Sequence, residues 1–191
     1  MDRRTLIAAT LTAGVFMAET DTAEAQANPE NTLYLDLKDG RVVIELRPDL
    51  APKHVERVKE LVRKGFYDNT PFHRVIEGFM AQGGDPTGTG TGGARDQGYA
   101  DLPAEFSQPS RARFLRGTVG AARTSNPNSA NSQFFIMFAP AESLDGQYTI
   151  WGRVIRGMEY VDKIKRGSGQ SGMVQNPDRI VRVRVAADVR E

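Results

Sequence analysis

Leu33, Leu35 and Leu37, then Val42, Ile44 and Leu46, alternate strictly in two runs separated only by Lys38-Asp39-Gly40-Arg41, and no other feature restricts the fold so tightly. A period of two sets each apolar row on one face of an extended strand. Asp-Gly between two such rows is a strong hairpin signal. The chain therefore opens as an antiparallel pair with one face to bury. Ala51-Pro52 then starts a helix with Val55, Val58, Leu61 and Val62 on one stripe and Gly65 as its stop. Short apolar segments follow, Phe72 to Val75, Gly78 to Ala81, Gly117 to Ala122, Gln133 to Phe138 and Tyr148 to Val154, cut by Gly, Pro and Asn clusters. A second helix is predicted over Met158 to Lys165, and Val181, Val183 and Val185 alternate with arginines in a last strand. Short strands at this spacing imply an antiparallel barrel or sandwich.

The 191 residues carry 25 Lys+Arg against 24 Asp+Glu and no cysteine. A formal charge of +1 gives no general attraction for phosphate backbones, so nucleic acid is not an expected partner. The missing cysteines exclude disulfides, thiol catalysis and thiolate metal sites. Asp2-Arg3-Arg4, an apolar run from Thr5 to Ala18 and the small residues of Ala23-Glu24-Ala25 form an export signal over residues 1–25. Arg3-Arg4 matches the twin-arginine type in part, and ordinary secretion stays open. The apolar run is shorter than the roughly 20 residues that span a bilayer, so no stable membrane insertion is expected after cleavage. Residues 26–30 read as a short linker and 31–191 as one domain, periplasmic or secreted.

The densest stretch is Phe72-His73-Arg74-Val75-Ile76-Glu77-Gly78-Phe79-Met80-Ala81-Gln82-Gly83-Gly84-Asp85, and a second is Asn131-Ser132-Gln133-Phe134-Phe135-Ile136-Met137. Together they resemble the cyclophilin family of peptidyl-prolyl cis-trans isomerases. The likeness extends through Gly65-Phe66-Tyr67-Asp68, Gly117-Thr118-Val119-Gly120 and Ser143-Leu144-Asp145-Gly146. It implies a mainly β fold, a closed eight-stranded antiparallel barrel capped by two α-helices, with the active site on the outer face. It further implies Arg74 as the catalytic arginine, Phe79, Met80 and Leu144 as apolar walls, and Phe135 as the floor of a proline pocket. Gln82 would bind the substrate backbone and Gln133 would line the site. Tyr148 falls where many relatives carry His, Thr124 where they commonly carry Asn, and Arg123 where many carry a small residue. Each is expected at the substrate. Proline-containing polypeptides are the implied partners of a monomer that needs no cofactor and no metal.

The chemistry also stands on its own terms. Rotation about a peptide bond meets a barrier of about 18–20 kcal/mol because nitrogen donates its lone pair into the carbonyl. A guanidinium, which cannot lose its proton, could donate to that nitrogen as it pyramidalises while apolar walls hold the ring. An acceleration of about 10⁵ requires about 7 kcal/mol. A proline-binding chaperone or scaffold is the alternative; it would keep the apolar pocket but have less need of Arg74.

Other signals carry less. Gly88-Thr89-Gly90-Thr91-Gly92-Gly93 fits G-x-G-x-x-G, but no amphipathic helix follows it, so a flexible surface loop is expected. His54 and His73 lack companion ligands, and His73 is expected to be buried. Ser132 lacks a nucleophile-elbow setting. Alternation puts Phe134 on the face opposite Phe135, in the interior. Ser143 stands where cyclosporin-sensitive relatives carry Trp, which implies weak cyclosporin binding. Arg123 adds a second cation that would favour acidic residues beside the proline.

Overall fold

The computed structural model describes residues 28–189; the export signal predicted over 1–25 and the first two linker residues lie outside them. Asn28 to Glu30, counted as linker, belong to the fold instead. Pro29–Asn31 form a 3-10 turn, and Glu30 is ion-paired to both Lys59 and Arg63.

Eight strands, β1 (Thr32–Leu37), β2 (Gly40–Leu46), β3 (Arg74–Ile76), β4 (Met80–Gly83), β5 (Thr118–Ala121), β6 (Phe134–Met137), β7 (Ile150–Arg156) and β8 (Arg182–Val185), make one antiparallel sheet. Their order is β3-β4-β6-β5-β7-β2-β1-β8. The edges β3 and β8 do not pair with each other. The segments just ahead of them meet instead: Asn69 N–H donates to Ile180 O, Ile180 N–H to Thr70 O and Phe72 N–H to Asp178 O, each at 2.9 Å. The expected barrel is thus a curled sheet sealed by irregular backbone, which satisfies groups an open edge would leave bare.

The opening hairpin turns on Lys38-Asp39, with Leu37 opposite Gly40. A Cβ on Gly40 would lie 2.5 Å from the Tyr160 ring, so no other residue fits there without displacing that ring. All six alternating residues of the hairpin are buried. The helix α1 (Pro52–Arg63) buries Val55, Val58, Leu61 and Val62 and packs on β8 and β7. Its orphan N-terminal amides are capped from afar: Glu105 accepts from Lys53 N–H at 3.1 Å and His54 N–H at 3.0 Å. His54 Nδ1 lies 2.6 Å from the same carboxylate.

Two elements differ from their sequence readings. The second helix, α2 (Met158–Val161), stops short of Lys165. Past Asp162 the ladder lapses: Lys163 N–H and Ile164 N–H reach back only three residues, to Tyr160 O and Val161 O, and Lys165 N–H donates to Asp178 Oδ2 at 2.8 Å instead of to Val161 O. Val181 is not in the last strand and is 57% exposed, because Ile180 is the residue that turns inward before Val183 and Val185.

Along β6 the two phenylalanines part as the pleat requires. Phe134 sits edge-on to Tyr67, Phe72 and Trp151 in the main core. Phe135 joins a second, outer cluster with Leu50, Met80, Phe114, Met137 and Ile150.

Candidate active site

Four strands place one row of residues side by side on the outer face. Arg74 on β3 is opposite Gln82 on β4, Gln82 opposite Phe135 on β6, and Phe135 opposite Gly120 on β5. The absence of a side chain at Gly120 lets the Phe135 ring lie flat against Phe114, with centroids 5.6 Å apart and planes at 24°. Tyr148 stands edge-on to both rings, at 5.8 and 6.5 Å. These aromatic contacts fix a rigid floor.

Above that floor is a cavity of about 180 Å³ bounded by Arg74, Phe79, Met80, Gln82, Arg123, Phe135, Leu144 and Tyr148, with Ala122 as well. It is smaller than the roughly 300–1,000 Å³ that drug-sized ligands occupy, and it suits a single small ring. Thr124 and Gln133 fall outside it and line a neighbouring, more polar cavity of about 270 Å³ with Gly90, Gly92 and Asn131. Gln82, Ala122 and Arg123 form the wall shared by the two.

The half-buried guanidinium of Arg74 is held from two sides. Nε donates to Ser171 O at 2.9 Å and Nη1 to Gln82 Oε1 at 3.1 Å; Nη2 has no partner among the described residues. Gln82 Nε2 donates in turn to Gln133 Oε1 at 2.9 Å, and Gln133 Nε2 donates to Gly90 O at 3.0 Å and Gly92 O at 2.9 Å. Gln82 is therefore engaged at both ends of its amide before any substrate arrives.

Arg123 is tied down more than a free cation would be. Its Nε and Nη2 donate to Gln147 O, its Nη1 to Thr124 O, and its guanidinium lies 4.2 Å from the Tyr148 ring centre. The Thr124 N–H is also spent inside the loop, on Ser129 Oγ at 2.9 Å.

The glycine-rich loop is not the free surface loop its composition suggests. Asp85, fully buried, accepts from Thr87 N–H and Oγ–H and from Gly90 and Gly92 N–H. Burial pushes its carboxyl up, but those bonds outweigh burial and hold it below the usual range. His73 is buried beneath Gly90, and burial pushes its ring below the usual histidine range.

Sequence reasoning missed Ala122, Phe114 and the Ser171 carbonyl. Gly120 was the one available signal for Phe114, since a glycine inside a strand marks a close approach. The backbone carbonyl of Ser171 leaves no trace in a sequence.

A family model described as cyclophilin type peptidyl-prolyl cis-trans isomerase matches residues 32–185. A "probable peptidyl-prolyl cis-trans isomerase" of Brucella suis is 52% identical over 199 residues, 98% of each chain. Peptidyl-prolyl cis-trans isomerase-like 1 of Homo sapiens is 40% identical over 139 residues, covering 69% of this chain and 78% of that protein. Among solved structures, a cyclophilin from Hirschia baltica superposes with a TM-score of 0.74 at 26% identity, covering 91% of this chain and 83% of the other. A cyclophilin type peptidyl-prolyl cis-trans isomerase of Cryptosporidium parvum, solved in the presence of the dipeptide Ala-Pro, gives 0.71 at 30%, covering 81% and 98%.

Proposed function

The chain belongs to the cyclophilin-type peptidyl-prolyl cis-trans isomerases, and on that premise we propose that it isomerises X-Pro bonds of exported polypeptides in the periplasm or outside the cell, as a monomer assisting their folding. The observation that carries the reading is the placement of Arg74 at the rim of a ring-sized apolar cavity, with Nη2 unengaged.

The proline ring sits on Phe135 between Met80, Phe79 and Leu144, which leaves the carbonyl side of the bond to swing. Arg74 donates from Nη2 to the proline nitrogen as its lone pair leaves conjugation, and the positive charge strengthens that bond in a partly desolvated site. Ser171 and Gln82 hold the guanidinium beforehand, so little reorganisation is needed when the bond twists. A scaffold that only captures proline would need the floor but not this anchoring.

The class of substrate follows from the export signal at residues 1–25, and X-Pro isomerisation in an unfolded chain takes tens to hundreds of seconds unaided. Two measurements test it. N-terminal sequencing of protein recovered outside the cytoplasm is expected to begin at Gln26, and an intact Met1 contradicts export with cleavage. Refolding of a proline-limited exported protein is expected to lose its slow phase when the enzyme is added; an unchanged slow phase contradicts the folding role.

A further inference from the structure

The four hydrogen bonds from Arg74 to Gln82, Gln82 to Gln133 and Gln133 to the Gly90 and Gly92 carbonyls all point the same way, each side-chain N–H donating outward from the guanidinium. The loop that receives them closes on Asp85, whose Oδ2 accepts from Gly90 N–H at 2.7 Å and Gly92 N–H at 3.1 Å. We infer that Asp85, outside the substrate cavity and fully buried, is the positioning residue for Arg74, acting through the glycine loop, Gln133 and Gln82.

The polarity of the chain is the reason. A guanidinium has only donors and a carboxylate only acceptors. With a cation at one end and two carbonyls at the other, one amide orientation of Gln82 and of Gln133 satisfies every link, and Asp85 holds those carbonyls in place through the loop's amides. If the loop carbonyls withdraw, Gln133 loses both acceptors, Gln82 is free to flip, and its NH₂ would then face Arg74.

The same centre explains the alternation Thr87-Gly88-Thr89-Gly90-Thr91-Gly92. Because the Thr87 hydroxyl donates to Asp85 Oδ1, that of Thr89 must donate to Thr87 and that of Thr91 to Thr89, at 2.8 Å each. The threonines thus line up on one side of the loop while glycine amides turn to the carboxylate. Gly90 has φ +86°, and a Cβ on Gly92 would collide with Asp85 Oδ1. The sequence that imitates a nucleotide-binding loop is a cradle for the protein's own carboxylate.

This inference rests on Arg74 as the catalytic donor, so Arg74→Ala is measured beside the relay variants. The assay is NMR exchange on an Ala-Pro peptide with Asp85→Asn, Gln133→Met and the double variant. Asp85→Asn is expected to lower kcat about tenfold with a much smaller change in KM, in keeping with small misplacements costing up to about 10²-fold. The Arg74 Nε–H resonance is expected to move in both single variants, and the double variant to be no slower than the worse single one. Gln133→Met leaves Asp85 and the core intact and serves if Asp85→Asn unfolds. Multiplying effects, or an unmoved Arg74 resonance, overturn the relay. If Arg74→Ala is slow while Asp85→Asn and Gln133→Met turn over normally, the relay fails alone; if Arg74→Ala is itself fully active, the catalytic reading fails.

Discussion

A Cβ on Gly120 would lie 2.6 Å from Cζ of Phe135, inside the contact distance of any real pair of carbons, so the flat seat of that ring depends on a missing side chain one strand away. Phe114 Cε1 is 2.7 Å from the same point, and neither ring has space to retreat because both are buried. Gly120→Ala is therefore expected to tilt Phe135 into the proline cavity. Overpacking of this kind costs about 1–3 kcal/mol, or roughly 2–12 °C in Tm at this chain length. Peptide kcat/KM should fall by more than that stability loss explains at 25 °C. Wild-type kinetics together with a lowered Tm would show that Phe135 is not the floor.

Ser143 is exposed on the 3-10 turn that carries Leu144. A serine offers neither the flat area nor the indole donor of tryptophan. Cyclosporin should inhibit the purified enzyme only weakly, and Ser143→Trp should tighten it by tenfold or more, about 1.4 kcal/mol. Nanomolar inhibition of the unaltered protein would contradict this.

Arg123 keeps its charge at the cavity wall even though backbone carbonyls occupy its donors. Its pull on a neighbouring carboxylate is that of an exposed pair, about 0.2–1 kcal/mol. Glu-Pro peptides are expected to exceed Lys-Pro peptides in kcat/KM by about fivefold at most, with the preference shrinking in salt and vanishing in Arg123→Ala. Equal values in the wild type remove the idea.

Burial holds both histidines below their ordinary value of 6.5, in His54 against an opposing pull from Glu105. The unfolded chain takes up protons as pH falls through 6.5 while the folded chain resists, so stability is full above that point and declines below it. The urea midpoint should be lower at pH 5.5 than at 7.5. A midpoint that rises on acidification would contradict these assignments.

What was legible in the sequence was local or repeated. The β1–β2 hairpin follows from two-residue alternation, the α1 stripe from its spacing, and the split of Phe134 from Phe135 from the pleat alone. Arg74, Phe79, Met80, Gln82 and Phe135 came from two long motifs whose order resembled a family, while Ala122 at the same cavity gave no signal. The rest depends on tertiary contact. Val181 looks like a strand residue until Ile180 takes the buried position, and α2 ends where the distant Asp178 carboxylate takes the Lys165 N–H that a longer helix would have used. Asp85 read as the tail of a motif, since nothing in Gly-Thr repetition announces a buried carboxylate that collects its amides.

The most direct test of the central claim is protease-free exchange spectroscopy on an Ala-Pro peptide with the wild-type protein and with Arg74→Ala, at concentrations that saturate the cavity. The account predicts that the wild type accelerates exchange and that the variant loses at least about 10²-fold, nearly 3 kcal/mol of transition-state stabilisation, with peptide binding largely kept by Phe135 and Met80. Equal exchange rates in the two proteins would contradict it.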